Sequence, residues 1–269
     1  MAPPVGSQNL HTPQAHPSIA RVNDCWLDGH HHDQRDNDYA DQIAVCAPHI
    51  PYLVRASRAL TGRMVRYMLD QGVRQFLDLG SGIPTMGHVH EVAQAVDPGS
   101  RVVYVDADPH VAAEGRAILS EVGNVAYLAA DIRQPGQILS SPEFRGLIDL
   151  TEPVGLLAVE TLLYLTEGDD PRRLVATYAD ALAPGSFVGL THCSENAELR
   201  KGLSLFSKIY GKPPVVTLRD ADELRACFRG LDLVDPGVVP VPLWNPLTED
   251  DVGQNPELAP MAAGLGKKA

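Results

Sequence analysis

The chain has 269 residues with 22 Lys+Arg against 34 Asp+Glu, a net charge of −12 that repels phosphate backbones and anionic lipid, so neither nucleic acid nor a membrane surface is an expected partner. A hydrophobic share of 44% supports a real core, while no uninterrupted apolar run approaches the roughly 20 residues of a membrane span. Cys25, Cys46, Cys193 and Cys227 lie far apart without a CxxC pair, and the start MAPPVGSQNLHTPQAHPS lacks the basic and apolar stretches of a signal peptide, which together point to reduced thiols in the cytoplasm.

Residues 1–18, rich in Pro, His, Gln and Asn without periodicity, are expected to form a flexible arm. The polar stretch Ile19–Ala47 ends in an expected helix over Asp38–Cys46, with Asp33–Asp41 as its solvated start. A second helix follows over Tyr52–Gln71, where Leu53, Leu60, Met64, Tyr67 and Met68 recur at helical spacing before Gly72 stops it. From there strands alternate with helices. Strands are expected at Arg74–Leu79, Arg101–Val105, Val125–Ala130, Pro153–Val159 and Ser186–His192. Helices are expected from Pro84 to Val96, Pro109 to Glu121 and Asp170 to Leu182. The tail adds a helix at Asp220–Phe228, a strand near Leu231–Val234, the Pro-broken stretch PVPLWNP and a last strand at Met261–Leu265. Near-continuous apolar strands alternating with helices imply an α/β fold with a parallel sheet covered on both faces.

The strongest local signal is Phe76-Leu77-Asp78-Leu79-Gly80-Ser81-Gly82-Ile83-Pro84, a buried strand ending in an acidic residue and opening into G-S-G. Small residues there let the backbone approach a ligand. The second strand ends Val105-Asp106-Ala107-Asp108 and the third Ala130-Asp131-Ile132, so carboxylates gather at the same sheet edge, Asp106 where a ribose is usually held. A dinucleotide would want a full GxGxxG, yet Pro84 stands near the third glycine, and Asp78 repels a pyrophosphate while suiting an ammonium group. Charge therefore favours S-adenosyl-L-methionine over a nicotinamide cofactor.

LDLGSGIP, VVYVDADP and AADIRQP resemble motifs I, II and III of class I S-adenosylmethionine-dependent methyltransferases. Arg21–Gly29, the arginines Arg55, Arg58 and Arg63, Gln75–Gln94, Arg101–Pro109, Ala183–His192 and PVPLWNP narrow the resemblance to a bacterial methyltransferase family long filed as a domain of unknown function. The resemblance implies a Rossmann-like, seven-stranded, mostly parallel sheet with helices on both faces (residues 73–269) and an N-terminal helical lid (residues 19–72). Carried over, Gly80, Ser81 and Gly82 line the methionine part, Asp106 and Ala107 the ribose, Asp131 and Ile132 the adenine, and Arg21 sits in the lid. S-adenosyl-L-homocysteine is then the product and a small molecule the acceptor; the resemblance leaves a homodimer open.

Departures from the family point to the acceptor. Asn23 and Cys25 replace tyrosines, and Asp28 a glycine, so Asn23 and Trp26 are candidate substrate contacts, Trp26 reading equally as a core aromatic. After the fourth strand Glu160-Thr161-Leu162-Leu163-Tyr164 stands where relatives carry an apolar stretch and Leu-His-Phe. Some relatives resemble natural-product indole C3-methyltransferases that form pyrroloindolines. For such an acceptor Glu160, helped by Tyr164, would accept the indole N–H; for a phenol or amine, His192 would be the base, although His192 reads rather as a loop residue, Glu160 also as an ordinary loop charge and Tyr164 also as a core aromatic. O- or N-methylation of another natural product and a non-catalytic cofactor-binding scaffold are the alternatives. His30-His31-His32 lacks metal-ligand spacing, and His88 and His90 read as helix-surface residues, with a place in the cofactor cleft as the alternative for one of them.

Overall fold

A computed structural model describes residues 17–212, 215–252, 256 and 259–269; residues 1–16 of the expected arm lie outside these. Three helices precede the first strand: α1 (Ile19–Trp26), α2 (Gln34–Cys46) and α3 (Ile50–Asp70). Helix α1 is absent from the sequence expectation, and α2 starts four residues before Asp38. The start of α2 is set by a reciprocal cap. Asp33 accepts the N–H groups of Arg35 and Asp36, and Asp36 accepts the Asp33 N–H at 3.0 Å. The same Asp36 accepts the N–H of Ser18, tying the entry of α1 to α2.

The remaining elements are β1 (Gln75–Leu79), α4 (Val89–Val96), β2 (Arg101–Asp106), α5 (Pro109–Ile118), β3 (Val125–Ala129), α6 (Pro135–Ser140), α7 (Pro142–Leu147) and β4 (Gly155–Ala158). After these come α8 (Pro171–Ala181), β5 (Phe187–Cys193), α9 (Ala197–Tyr210), α10 (Ala221–Ala226), β6 (Asp232–Leu233), β7 (Val239–Pro240), α11 (Glu249–Val252) and β8 (Met261–Lys267). The strands form one eight-stranded sheet in the order β3-β2-β1-β4-β5-β8-β6, with β7 paired to β8 beside this path. Strands β1 to β5 run parallel and β8 antiparallel to them. The sheet holds one strand more than the seven expected, because Val239–Pro240 in the Pro-broken stretch pairs at an edge, where proline is tolerated. Chain order reverses between β1 and β4, the crevice where ligands bind in open parallel sheets.

Helix α3 lies on the sheet. Its fully buried Met64 and Met68 reach glycines of the strands: a Cβ on Gly155 would come 2.8 Å from Met68 Sδ, and one on Gly189 2.9 Å from Met64 Sδ. Buried Arg63 on the same helix donates to the Trp244 and Val241 carbonyls, both at 2.9 Å, which fastens the PVPLWNP stretch. At the far end Lys268 Nζ donates to the carbonyls of Ala179, Asp180 and Leu182, satisfying the C-terminus of α8 with a cation. No helix among the described residues is long and apolar enough to cross a membrane.

Candidate active site

A cleft of about 490 Å³ opens at the carboxyl ends of β1, β2 and β4, roofed by α1 and walled by α3. The glycine loop forms its floor. Gly80 and Gly82 have φ of 69° and 65°, and a Cβ on Gly80 would strike the Thr161 side chain at 2.4 Å. Thr161 in turn donates to the Leu79 carbonyl at 2.7 Å. Tyr127 on β3 braces the loop from below: Ser81 Oγ donates to its hydroxyl at 2.9 Å, and that hydroxyl donates to the Gly82 carbonyl at 2.6 Å. Sequence reading missed Tyr127, since nothing local links a strand tyrosine to a loop some 45 residues upstream.

Asp106 accepts the N–H groups of Gly82 at 3.1 Å and Asp108 at 2.9 Å, and burial pushes its carboxyl upward. Ala107 lies beside it in the cleft wall, as do Asp131 and Ile132. The Asp131 carboxylate is gripped by the Arg133 guanidinium at 2.6 Å, which lowers its pKa. Asp78, 5% exposed, is pushed up to about 7 by burial, with Arg58 opposing the shift and Asp106 adding to it. Its neighbour His88, 3.7 Å away, supplies no cation. His88 Nε2–H donates to the Ser81 carbonyl while Nδ1 accepts the Val89 N–H, and burial keeps the ring neutral. His88 and His90 are therefore buried rather than on the helix surface: His88 caps α4, and His90 packs against the Tyr104 hydroxyl at 2.8 Å.

The donor set discriminates between cofactors. Helix α4 begins at Val89, not directly after Pro84, and the N–H groups of Gly87 and His88 are spent on the Glu91 carboxylate. The amides that would hold a pyrophosphate are thus occupied. Carboxylates at Asp78 and Asp106 together with the Arg58 guanidinium suit an ammonium, a ribose and a carboxylate. Arg58 reaches the cleft from α3 and donates to the Thr85 carbonyl at 2.7 Å.

The candidate acceptor residues separate in space. Glu160 leaves the tip of β4 in a left-handed conformation, φ 57°, unusual for a residue with a side chain and held by its N–H to Thr191 Oγ1 at 2.8 Å. Burial pushes its carboxyl up to about 7 against the hydrogen bond from Ser57 and the charge of Arg58. Asn23 Nδ2 on α1 lies 3.5 Å from Glu160 Oε2. Tyr164, half-exposed, stands beside Glu160. His192 does not line the cleft. Its Nε2 accepts from Arg219 at 2.9 Å and its Nδ1–H donates to the Cys193 carbonyl at 3.0 Å, so both nitrogens are engaged and the reading as a base is withdrawn. Arg21 also stays off the cleft surface, its guanidinium paired with Glu114 on α5 at 2.8 Å. Trp26 lines an apolar chamber that adjoins the cleft at Glu160. His31 and His32 are held by Glu114 and Asp24, and no metal-binding group occurs among the described residues.

A family model of S-adenosyl methyltransferases matches residues 6–269. The chain belongs to this family. It is 37% identical to a Thermobifida fusca protein provisionally named a methyltransferase, over 94% of this chain and 96% of that one, with a TM-score of 0.84. It is 31% identical to a protein of unknown-function family 574 from Streptomyces avermitilis, over 94% and 98% of the two chains, with a TM-score of 0.85. The mitomycin 7-O-methyltransferase shares the fold alone, at 17% identity over 81% of this chain and 56% of that one, TM-score 0.51. Comparison with curated proteins finds no match. This S-adenosyl methyltransferase family member is thus an enzyme that takes its methyl group from S-adenosyl-L-methionine, and the nicotinamide alternative falls.

Proposed function

We propose that this methyltransferase acts on a small aromatic heterocycle and methylates a ring carbon, C3 of an indole, with Glu160 accepting the ring N–H. The observation that carries the reading is Glu160 itself, a carboxylate at the tip of β4, held in left-handed backbone and lining the cleft. Around the cofactor, Asp78 receives the ammonium and Arg58 the carboxylate of the methionine part over Gly80–Gly82; Asp106 and Ala107 receive the ribose, Asp131 and Ile132 the adenine. Of the proposed lid, α1 covers the cleft, α2 borders the apolar chamber beside it, and α3 walls the cleft while embedded against the sheet; Arg21 contributes by pinning α1 to α5.

When bound, S-adenosyl-L-methionine supplies an electrophilic methyl whose bond to sulfur breaks with the electron pair leaving on sulfur. As the new carbon–carbon bond forms, positive charge spreads over the heterocycle toward its N–H. The Glu160 carboxylate accepts that N–H and stabilises the charge, with Asn23 orienting it. A side-chain nitrogen of the acceptor then adds to C2 and loses its proton to water, which closes a pyrroloindoline. The main demand on the protein is placement of the attacking carbon about 3–3.5 Å from the methyl. With His192 removed, methylation of a phenol or amine would also fall to Glu160, whose pKa of about 7 suits a general base. Incubation with indole, phenol and amine acceptors, read by S-adenosyl-L-homocysteine release and product NMR, tests the proposal; release with phenols alone would overturn it.

A further inference from the structure

Beside Glu160 lies a second, apolar chamber of about 130 Å³, bordered by α1, α2, α3, α9 and the ends of β5 and β8. Ile19, Asn23, Val54, Glu160 and Tyr164 line both spaces, so the two adjoin there. The remaining walls are almost wholly hydrocarbon or thiol, among them Leu53, Leu199, Leu203, Phe206 and Met261. Glu160 is the only ionisable acid or base of the Asp, Glu, Lys, Arg and His types lining it, among the described residues. Helix α9 is set close against the end of α2, where a Cβ on Gly202 would lie 2.7 Å from the Cys46 carbonyl oxygen. Phe206 is further held edge-to-face on Tyr39 at 5.6 Å.

We infer that this chamber is the anchoring site of the methyl acceptor and takes an uncharged, ring-sized apolar group, rejecting acceptors that carry a carboxylate next to the ring. The inference rests on the methyltransferase reading and adds the class of acceptor. An apolar cavity of about 150 Å³ stays dry and takes up benzene, so a space of this size and lining is suited to one aromatic ring. An acceptor carboxylate would be desolvated there without a cation and would face the Glu160 carboxylate, both of which oppose binding. An uncharged amide meets neither penalty. The acceptor is accordingly a neutral derivative, its ring inserted under α9 and its reactive edge turned to Glu160.

Calorimetry with indole-3-carboxamide and indole-3-carboxylate, a pair of nearly equal shape, tests this in the presence of S-adenosyl-L-homocysteine. The carboxamide is expected to bind and the carboxylate to bind at least about tenfold more weakly, a ratio typical of one mismatched polar group. Leu203→Trp fills the chamber from half-buried α9 and is expected to weaken the carboxamide by about tenfold or more, leaving S-adenosyl-L-homocysteine affinity unchanged. Equal binding of the two probes, or a Leu203→Trp variant that binds the carboxamide as the wild type does, overturns the inference while the cofactor reading stands. Failure of the wild type to bind S-adenosyl-L-homocysteine overturns the cofactor reading instead. Should Leu203→Trp not fold, Leu203→Ala decides, since an enlarged chamber is expected to admit the tricyclic carbazole that the wild type refuses; admission by both or by neither counts against the inference.

Discussion

Glu160 and Asp78 are both pushed up to about 7 by burial, yet they are predicted to act on different measurements. Glu160 must be ionised to accept an N–H, so kcat at saturating cofactor should rise with pH through about 7 and then level off. Glu160→Gln keeps the shape, removes the charge and should lower kcat by roughly 100-fold while flattening that profile. Wild-type turnover in this variant would return Glu160 to an ordinary loop charge. Asp106 works twice, toward a ribose and toward the Gly82 amide that shapes its own loop. Asp106→Ala should therefore weaken S-adenosyl-L-homocysteine by about 2 kcal/mol, the scale of charged hydrogen bonds, and Asp106→Asn by less, because the amide oxygen still accepts from Gly82. Equal calorimetric affinities in the wild type and Asp106→Ala would refute the assignment. Asn23, Tyr127 and Arg58 show why such a site is only partly legible: each meets its partner across long stretches of chain, Asn23 and Glu160 lying 137 residues apart.

At the scale of elements, α1 buries Val22 and is otherwise fastened to the core through polar contacts. Arg21 joins it to Glu114 on α5, and Asp24 accepts from Thr85 Oγ1 at 2.9 Å and from the His31 N–H at 2.7 Å. Polar fastenings of this kind open more readily than packed hydrocarbon. Hydrogen exchange over residues 21–29 is expected to slow when S-adenosyl-L-homocysteine binds, whereas the buried turns of α3 should be slow in both states. Equal exchange of residues 21–29 with and without ligand would show that α1 is not a lid. The same contrast explains which helices sequence patterns reveal. Helix α3 carries a long apolar stripe and is expected nearly to its observed ends. Helix α9 has weaker marks, the Asn196 cap on the Leu199 N–H at 2.9 Å and the spacing of Leu199, Gly202 and Phe206, and escapes the first reading.

For the whole molecule, the raised carboxyls of Asp78, Asp106 and Glu160 link stability to pH. The unfolded chain ionises Asp78 near the ordinary carboxylate range and the folded one only near 7, so between about pH 4 and 7 the folded state binds more protons and rising pH destabilises it. Buried histidines oppose this trend: burial lowers the pKa values of His88, His90 and His192, so their contribution is lost as pH falls below the unfolded histidine value. A single melting curve mixes the two. Comparison with Asp78→Asn isolates one of them, and the variant is expected to gain Tm relative to the wild type as pH rises from 5 to 8. A constant difference would mean that Asp78 is not held protonated in the folded protein. An ammonium ligand favours the ionised form, so affinity for S-adenosyl-L-homocysteine should grow over the same window.

The sequence by itself determined the five apolar strands of a covered parallel sheet, the helices α3, α4, α5 and α8 that accompany them and the three strand tips that carry Gly80–Gly82, Asp106 and Asp131. These rest on local causes: hydrophobic period, glycine conformation and the alternation that forces a parallel sheet. Only the tertiary structure decided the rest. It spent both nitrogens of His192 on Arg219 and the Cys193 carbonyl, occupied the N-terminus of α4 with Glu91, brought Arg58 into the cleft from α3 and opened an apolar chamber beside Glu160. The physical reason is that burial and hydrogen-bond partnership belong to pairs of distant segments. A residue type states what chemistry a side chain can do, and its neighbours in space decide whether it is free to do it.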